Sequence, residues 1–552
     1  MTTIDTPPQT APTRSGAGHA LSSVAEWITT TDHKRLGRML IGTGMIAMLG
    51  IAVVGGLLGF ERIDAATISL NANSITQLFS IYRVGLALFA VLPVMLGLAV
   101  AVVPLQLGAR SLAFARLAAA GFWAWFFGMD LVILSIIANG GPAGGTSKFV
   151  ALFIAAFGVM LGGLTMIAIS LATTVLTTRA PGMNMRRVPL FSWSVLVTAL
   201  GLILMLPVAI GTVIYLYVSY RYNRVPFGGN QGILDYIGFS VTQPQTYLYA
   251  LPAIGFAAEM FPLAARRRMP MRGFVLGALG LVGVAGITGV TQVQHVLPWV
   301  GSKLYLGHFG KKFGDLLDYG FFNALPVIGA VLVLLIGPLA FKGGRPKITA
   351  PLVFGVFGLA MILMGMLGGL LYGVLDLGLQ GTVFEEGAYV YVCYGAILTT
   401  LGAVTYWGPK LWGRKLADKK VLPLALLGAL ATALASLPYY IAGFADQPAN
   451  SVTFAYSGPQ GLWNTLATVG HGLMVLTVAA FIGLALQGFR KGELAGDDPW
   501  DAHTLEWATS SPAPDDNFAE LHTVMSAEPL LDLKSSPDLT SSPELKSKRE
   551  NA

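Results

Sequence analysis

The sequence predicts an all-α, polytopic membrane protein with twelve transmembrane helices. Hydrophobic residues make up 54% of the 552-residue chain and charged residues only 11%, whereas soluble domains carry about 25% charged residues. Apolar runs of about 20 residues or more, the length needed to cross a bilayer, recur along the chain. Lys and Arg residues gather in alternate loops between these runs. This composition excludes a set of soluble domains, and the runs are too long for the alternating strands of a β-barrel.

The predicted spans follow one another through short loops. They lie near 38–60, 80–105, 117–140, 148–178, 190–220, 245–265, 273–298, 320–341, 350–373, 385–411, 422–443 and 462–488. We expect the long fourth and fifth spans to tilt or protrude. The chain is therefore divided into a disordered N-terminal arm at 1–26, a twelve-helix membrane domain at 27–490 and a polar tail at 491–552.

The loop charges predict the orientation in the membrane. Lys and Arg are more than twice as frequent in the loops that a cytoplasmic N-terminus would place inside. We expect both termini, including the tail, in the cytoplasm, and the chain in the plasma (inner) membrane. The net charge of +7 is explained by these loops, so nucleic acid is not expected as a partner. The single cysteine, Cys393, excludes a disulfide framework.

Five segments of the sequence carry a family resemblance. They are WITTTDHKRLG from Trp27, LPVMLGLAVAVVPLQLGARSLAFAR from Leu92, YWGPKLWGR from Tyr406, SGPQGLWNTLATVGHGLMVL from Ser457 and GDDPWDAHTLEWATSSPAPDDNF from Gly496. Each resembles the corresponding segment of subunit I of the haem-copper (cytochrome c) oxidases, and LEWATSSP in the last segment is long and specific. The resemblance covers about 27–530. It implies the twelve-helix fold of that subunit and association with other oxidase or respiratory-complex subunits in the lipid bilayer.

The resemblance also implies two haems and copper, which the family binds through six histidines. Imidazole nitrogen suits both haem iron and copper. The positions aligned with these histidines carry other residues here. They are Tyr82 for a low-spin haem ligand, Gln243, Gln292 and Val293 for copper ligands, and Gly387 and Tyr389 for ligands of the two haems. Val and Gly have no donor atom, so we expect no haem, no copper and no catalytic residue of the family kind.

The accessory positions of the family are substituted in the same way. They are Tyr439 and Tyr440 for the Arg pair that holds the haem propionates, Ala330 for the Lys of one proton channel, Gln245 for the Glu of the other, and Ser111 for the Asp at the mouth of that channel. None of these replacements carries the charge or the proton of the family residue. We expect bulky side chains, lipid or water to fill the space of the cofactors.

Polar residues inside the predicted spans are the remaining candidates. Asp130, Glu259 and Arg83 are ionisable groups in apolar runs, where such groups are costly and mark functional sites. They could instead pair across helices in place of lost haem contacts. His295 lies two residues beyond the aligned His pair, and could be a displaced copper ligand or a hydrogen-bonded structural histidine.

Three functions remain open from the sequence. The first is a redox-inactive relative of subunit I with a structural, assembly or regulatory role in a respiratory complex. The second is an active terminal oxidase that reduces oxygen and translocates protons. The third is a transporter or channel that uses the vacated haem cavity through Asp130 or Glu259. The retained N-terminal segment and tail favour the first, because surfaces that meet other subunits are kept while the redox interior is not.

Overall fold

The computed structural model describes residues 25–64, 69–222, 237–287, 316–317, 319–455, 458–518 and 523–535. The bundle helices are α1 (His33–Glu61), α2 (Asn73–Gln106), α3 (Ala115–Ile137), α4 (Ser147–Thr177), α5 (Leu190–Arg221), α6 (Gly238–Ala265), α7 (Arg272–Ile287), α8 (Gly320–Phe341), α9 (Ala350–Tyr372), α10 (Phe384–Trp412), α11 (Asp418–Phe444) and α12 (Gln460–Lys491). In these ranges the strands are a two-residue hairpin, β1 (Gly140–Gly141) with β2 (Gly144–Gly145). The all-α class is confirmed.

Within the described ranges, eleven helices are long and apolar enough to cross a membrane. They correspond to the first six and the last five of the twelve predicted spans. The predicted seventh span, 273–298, begins as the shorter apolar helix α7, and its remaining residues lie outside the described ranges. The chain is a multi-pass membrane protein. Each predicted span that the structure describes in full is a helix long and apolar enough to cross a membrane.

Small residues allow the helices to approach each other closely. A Cβ atom on Gly37 of α1 would lie 2.6 Å from the Cβ of Ala101 on α2. A Cβ on Gly163 of α4 would lie 2.5 Å from the carbonyl oxygen of Gly121 on α3. Membrane helices gain little from apolar burial between themselves, so close backbone contact of this kind is a main source of their packing energy.

The helices α2, α6 and α10 form the centre of the bundle. Their apolar segments are buried on nearly all sides, whereas α1 and α12 bury only about a third of theirs. The outer helices expose large apolar side chains, such as Ile137 at 76% and Leu335 at 63%, which suits contact with lipid. The central helices carry most of the positions that the sequence assigns to oxidase cofactors.

The described tail packs on the face of the bundle where α1 begins, here termed the N-terminal face. His33, the first residue of α1, forms a 3.0 Å hydrogen bond through Nε2 to the Asn517 side chain. Asn517 Nδ2 donates to the carbonyl of Ala109, just after α2, at 2.8 Å. The tail also contains two short helices, Leu505–Ala508 and Pro529–Ser535. The described N-terminal residues and the tail therefore lie on one face, while the side of the membrane that this face meets stays a prediction.

Candidate functional site

Two of the aligned ligand positions lie where α2 and α10 touch. Tyr82 of α2 and Tyr389 of α10 are 3% and 2% exposed. The hydroxyl of Tyr389 donates a 2.5 Å hydrogen bond to the backbone carbonyl of Arg83. At this level the second and tenth spans are in direct contact through a tyrosine side chain.

A histidine from α12 lies beside these tyrosines. The ring of His471 is edge-on to Tyr82 and Tyr394, with centroid distances of 5.9 and 5.6 Å. Its Nδ1 forms a 2.7 Å hydrogen bond with the hydroxyl of Tyr394. His471 Nε2 and the Tyr82 hydroxyl have no hydrogen-bond partner among the described atoms. One imidazole and two phenols are thus packed together in this part of the interior.

Gln243, at the aligned copper-ligand position on α6, is hydrogen-bonded to another side chain of the protein. The hydroxyl of Tyr247 donates to Gln243 Oε1 at 3.0 Å. Gln245 Nε2 donates to the carbonyl of Ala285 at 2.9 Å. A Cβ on Gly369 of α9 would lie 1.9 Å from the Tyr247 hydroxyl and 2.2 Å from Gln243 Oε1. The glycine is needed because these two side chains occupy the space between α6 and α9.

The two tyrosines at the aligned propionate-binding positions pack in different places, Tyr440 between α9, α10 and α11, and Tyr439 beside α10 and α12. Tyr440 stacks on Phe384 with ring centroids 4.4 Å apart, and its hydroxyl donates to the carbonyl of Met364 at 2.9 Å. Tyr439 is fully buried. A Cβ on Gly387 would lie 2.8 Å from the carbonyl oxygen of Ser436, so α10 and α11 meet backbone to backbone. Tyr82, Tyr389, Tyr439 and Tyr440 are all buried, as side chains that fill a space must be.

Two ion pairs close the bundle at the face opposite the N-terminal face. Arg62 is 0% exposed and forms a bidentate pair with Glu386, at 3.1 and 2.9 Å. Arg83 pairs with Glu385 at 2.9 Å. Burial disfavours the charge of Arg62, but the adjacent Glu386 carboxylate outweighs this and raises the pKa of Arg62. Arg83 therefore pairs across helices, which is one of the two roles that the sequence left open for it.

The remaining sequence candidates are scattered. Ser111 is exposed in the loop after α2, and Ala330 is buried in α8. Gln292, Val293 and His295 lie outside the described residues. Asp130 is on the exposed side of α3. The substituted positions on α2, α6, α10 and α11 are thus in the bundle interior, whereas Ser111 and Asp130 are on its surface.

Glu259 belongs to a buried network at the N-terminal face. Gln106 Nε2 donates to Glu259 Oε2 at 3.1 Å and to Glu506 Oε1 at 3.3 Å. Glu259 Oε1 accepts the backbone N–H of Phe191 at 2.8 Å, and Glu506 Oε1 accepts Trp407 Nε1 at 3.1 Å. The sequence singled out Glu259 but not its partners. The sequence feature that could have indicated Glu506 as a partner is its position as the carboxylate of the specific LEWATSSP segment.

A small pocket beside this network has a volume of about 30 Å³, which is enough for water. It is lined by Glu259, Tyr406 and His503, among others. Burial and the nearby Lys534 ammonium lower the pKa of His503 to about 4. Burial raises the pKa of Glu506. At neutral pH the tail therefore presents a neutral imidazole to the bundle.

A metal site would need several donor side chains in one place. In the part of the chain that the structure describes, no three His, Cys, Asp or Glu side chains come together in this way. Among the described residues, the polar groups at the aligned positions are phenols and carboxamides. Several of them hydrogen-bond to backbone carbonyls or to one another, while the Tyr82 hydroxyl and Gln245 Oε1 have no partner among the described atoms.

The helical membrane fold, together with the five segments quoted in the sequence analysis, is that of a respiratory oxidase subunit. Residues 35–482 match the family model described as cytochrome c and quinol oxidase polypeptide I, so the chain belongs to the haem-copper oxidase subunit I family.

Individual relatives are similar over almost the whole chain. The chain is 28% identical to the probable cytochrome c oxidase subunit 1-beta of Nocardia farcinica, over 95% of this chain and 91% of that protein. It is 28% identical to cytochrome c oxidase subunit 1 of Bacillus subtilis, over 92% of this chain and 83% of the relative. It is 27% identical to the heme-copper oxidase subunit I+III of Aeropyrum pernix, over 90% of this chain and 62% of the relative. The family resemblance found in the sequence is confirmed.

Proposed function

We propose that this chain is a redox-inactive relative of oxidase subunit I, with a structural, assembly or regulatory role in a respiratory complex. The observation that carries the proposal is the bonding at the aligned ligand positions. Tyr389 and Gln243 are hydrogen-bonded to neighbouring protein groups. Gly387 has no donor atom and lies against the backbone of α11. The interior is thus built as a packed protein core.

The residues present do not fit a haem held in the family manner. Tyrosine can ligate haem iron, but the hydroxyl of Tyr389 is bonded to Arg83 and the ring of Tyr82 is packed against Gly55 and His471. A porphyrin between α2 and α10 would have to displace these packed side chains.

The charges at the opposite face support the same proposal. Haem propionates need cationic partners, and the aligned positions hold the neutral side chains Tyr439 and Tyr440. The nearby cations are already neutralised, because Arg62 is paired with Glu386 and Arg83 with Glu385. A pair of propionates would have to displace these carboxylates.

Copper binding and proton transfer lack their usual groups in the same region. Carboxamide oxygen at Gln243 is a poorer copper ligand than imidazole. Gln245 and Ala330 cannot carry a proton by titrating. We therefore propose that this chain does not reduce oxygen.

Partner subunits are inferred from the family and from the tail. One relative is described as a heme-copper oxidase subunit I+III, so that protein combines subunit I with a further oxidase subunit. We infer that this chain also binds oxidase or respiratory-complex subunits, in the plasma membrane with both termini cytoplasmic. The tail supports such a role. Hydrogen bonds such as those of Asn517 hold it on the N-terminal face, where it forms a surface for another subunit.

The transport alternative finds little support in the described residues. It required Asp130 or Glu259 to line a continuous polar path. Asp130 lies on the exposed side of α3, while both oxygens of Glu259 accept hydrogen bonds from Phe191 and Gln106. The two carboxylates are therefore in separate environments.

Purification of the tagged full-length chain from its native membrane tests the proposal. A reduced-minus-oxidised absorption spectrum and copper analysis are expected to show no stoichiometric haem or copper, and mass spectrometry is expected to find co-purifying oxidase subunits. A catalytic subunit I prepared in the same way serves as the control for cofactor loss. A stoichiometric haem band would overturn redox inactivity and favour an active terminal oxidase. Recovery of the chain alone would overturn the role in a complex.

A further inference from the structure

A second pocket opens at the N-terminal face, where α9 and α11 begin and α12 ends. Its volume is about 380 Å³. Its wall carries four lysines: Lys347, Lys415, Lys420 and Lys491. These residues come from three loops or helix ends that are far apart in the sequence, and the fold brings them to one place.

The pocket has a surplus of positive charge. Its wall holds two carboxylates, Asp418 and Glu493, against the four lysines. Asp418 interacts electrostatically with Lys415 and Lys347, so part of its negative charge is compensated within the pocket wall. The ammonium of Lys415 lies 5.7 Å from the centre of the Trp500 ring. Two positive charges are left over, which suits a phosphate group.

The helix ends add to this positive potential. Thr349 and Ala417, the residues that precede α9 and α11, both line the pocket. Neither caps its helix with a side-chain hydrogen bond. Helix N-termini carry partial positive charge and unpaired N–H groups that favour anions.

The wall becomes apolar toward the interior of the membrane. Val421 of α11 and Leu484 of α12 line it, and Leu484 is seven residues before Lys491, or about 10 Å along the helix. A ligand that fits this wall has an anionic group at one end and an apolar chain at the other. A free phosphate ion would use only the first part.

We propose that this pocket binds the head group of an anionic phospholipid. The lysines contact the phosphate, the two helix N-termini add to the positive potential around it, and an acyl chain lies along Val421 and Leu484. Basic pockets between transmembrane helices on the cytoplasmic side are suited to such head groups. The site is separate from the substituted cofactor positions in the bundle interior.

The test compares two triple variants of the purified full-length chain by native mass spectrometry. The pocket variant carries Lys347→Gln, Lys420→Gln and Lys491→Gln. The control carries Lys342→Gln, Lys419→Gln and Arg490→Gln, which removes the same charge from residues near the pocket that do not line it. The probes are mixed micelles with phosphatidylglycerol, micelles with phosphatidylcholine, and inorganic phosphate. Melting temperatures of both variants confirm that they fold.

We expect the unmodified chain and the control to retain phosphatidylglycerol but not phosphatidylcholine. The pocket variant is expected to lose about tenfold or more of this retention, because each basic residue contributes to attraction of an anionic lipid. Equal retention by the two folded variants would overturn the proposal, as would equal retention of the two lipids. Displacement of the lipid by equimolar inorganic phosphate would assign the site to a soluble anion and also overturn it. If the pocket variant alone does not fold, the single variant Lys420→Gln against Lys419→Gln gives the same comparison.

Discussion

The interior of the bundle and the N-terminal face bury polar groups in different ways. In the interior, the Tyr82 hydroxyl and His471 Nε2 have no hydrogen-bond partner among the described protein atoms. At the N-terminal face, Gln106 forms three side-chain hydrogen bonds, and Lys410 Nζ donates to three tail carbonyls at 2.5–3.3 Å. Both regions contain hydrogen bonds, and both contain unpartnered polar atoms, which in the tail include Glu506 Oε2 and Trp507 Nε1. They differ in that the interior tyrosines each form at most one hydrogen bond, whereas Gln106 and Lys410 form three each and hold the tail at defined points.

This contrast separates two kinds of constraint. The tyrosines at the aligned ligand and propionate positions fill space. Their hydroxyls and rings are accommodated by a single backbone carbonyl or a neighbouring aromatic ring. The tail must be fastened at defined points to stay on a face that other subunits could meet. Variants that change packing in the interior and bonding at the face therefore test the contrast directly.

The largest effect is expected from the charged pair beside the interior tyrosines. Glu386→Ala leaves the fully buried Arg62 without its bidentate partner, and breaking a buried pair in this way costs about 3–5 kcal/mol. The measurement is the unfolding free energy of the purified chain in detergent.

The matched control is Glu385→Ala. It removes the partner of Arg83, whose side chain is 21% exposed, and water can solvate the remaining guanidinium. We expect a clearly smaller loss of stability. Equal losses for the two variants would mean that burial of Arg62 does not set the cost.

A packing change in the interior is expected to rank second. Gly387→Ala places a Cβ 2.8 Å from the carbonyl oxygen of Ser436, and such overpacking costs about 1–3 kcal/mol because α10 and α11 must separate. The control is Gly277→Ala on α7, where a Cβ meets no atom within 4 Å. The measurement is thermal unfolding of both variants. An unchanged stability of Gly387→Ala would show that α10 and α11 are not closely packed at this point.

Much of this fold was predictable, because runs of apolar residues fix the spans locally. The pairs that close the bundle were not, since Arg62 and Glu386 are 324 residues apart and no local pattern links them. The same holds for Gln106 and Glu506. Pairing across helices was one of two roles that the sequence left open for Arg83, and bulky tyrosines were one of three ways to fill the cofactor space, beside lipid and water. It placed the end of the seventh span where the structure describes no residues, so that boundary stays a prediction.

At the N-terminal face, acid is expected to loosen the tail. The pKa of His503 is lowered to about 4 in the folded chain, chiefly by burial, against about 6.5 when exposed. The folded state therefore takes up its proton later than the unfolded state, and stability is lost as the pH falls from about 6.5 toward 4, at up to about 1.4 kcal/mol per pH unit.

His503→Gln isolates this contribution, because Glu506 remains and the raised pKa of Glu506 acts in the opposite direction. Proteolysis of the tail, measured from pH 7 to pH 5, is expected to rise more in the unmodified chain than in the variant. A constant difference between the two across this range would exclude His503 as the source of the acid sensitivity.

The smallest effect is expected at the outer edge of the tail. Lys534 bonds Asp498 and Asp501 at 2.8 and 2.7 Å, but its side chain is 40% exposed and that of Asp501 is 52% exposed. Exposed ion pairs contribute about 0–1 kcal/mol and are screened by salt, so Lys534→Met should alter tail protection little and only at low ionic strength. Hydrogen exchange of the tail at low and high salt provides the measurement. A loss as large as that from Glu386→Ala would reverse the ranking and show that this surface contact, rather than the buried network around Gln106 and Lys410, fastens the tail.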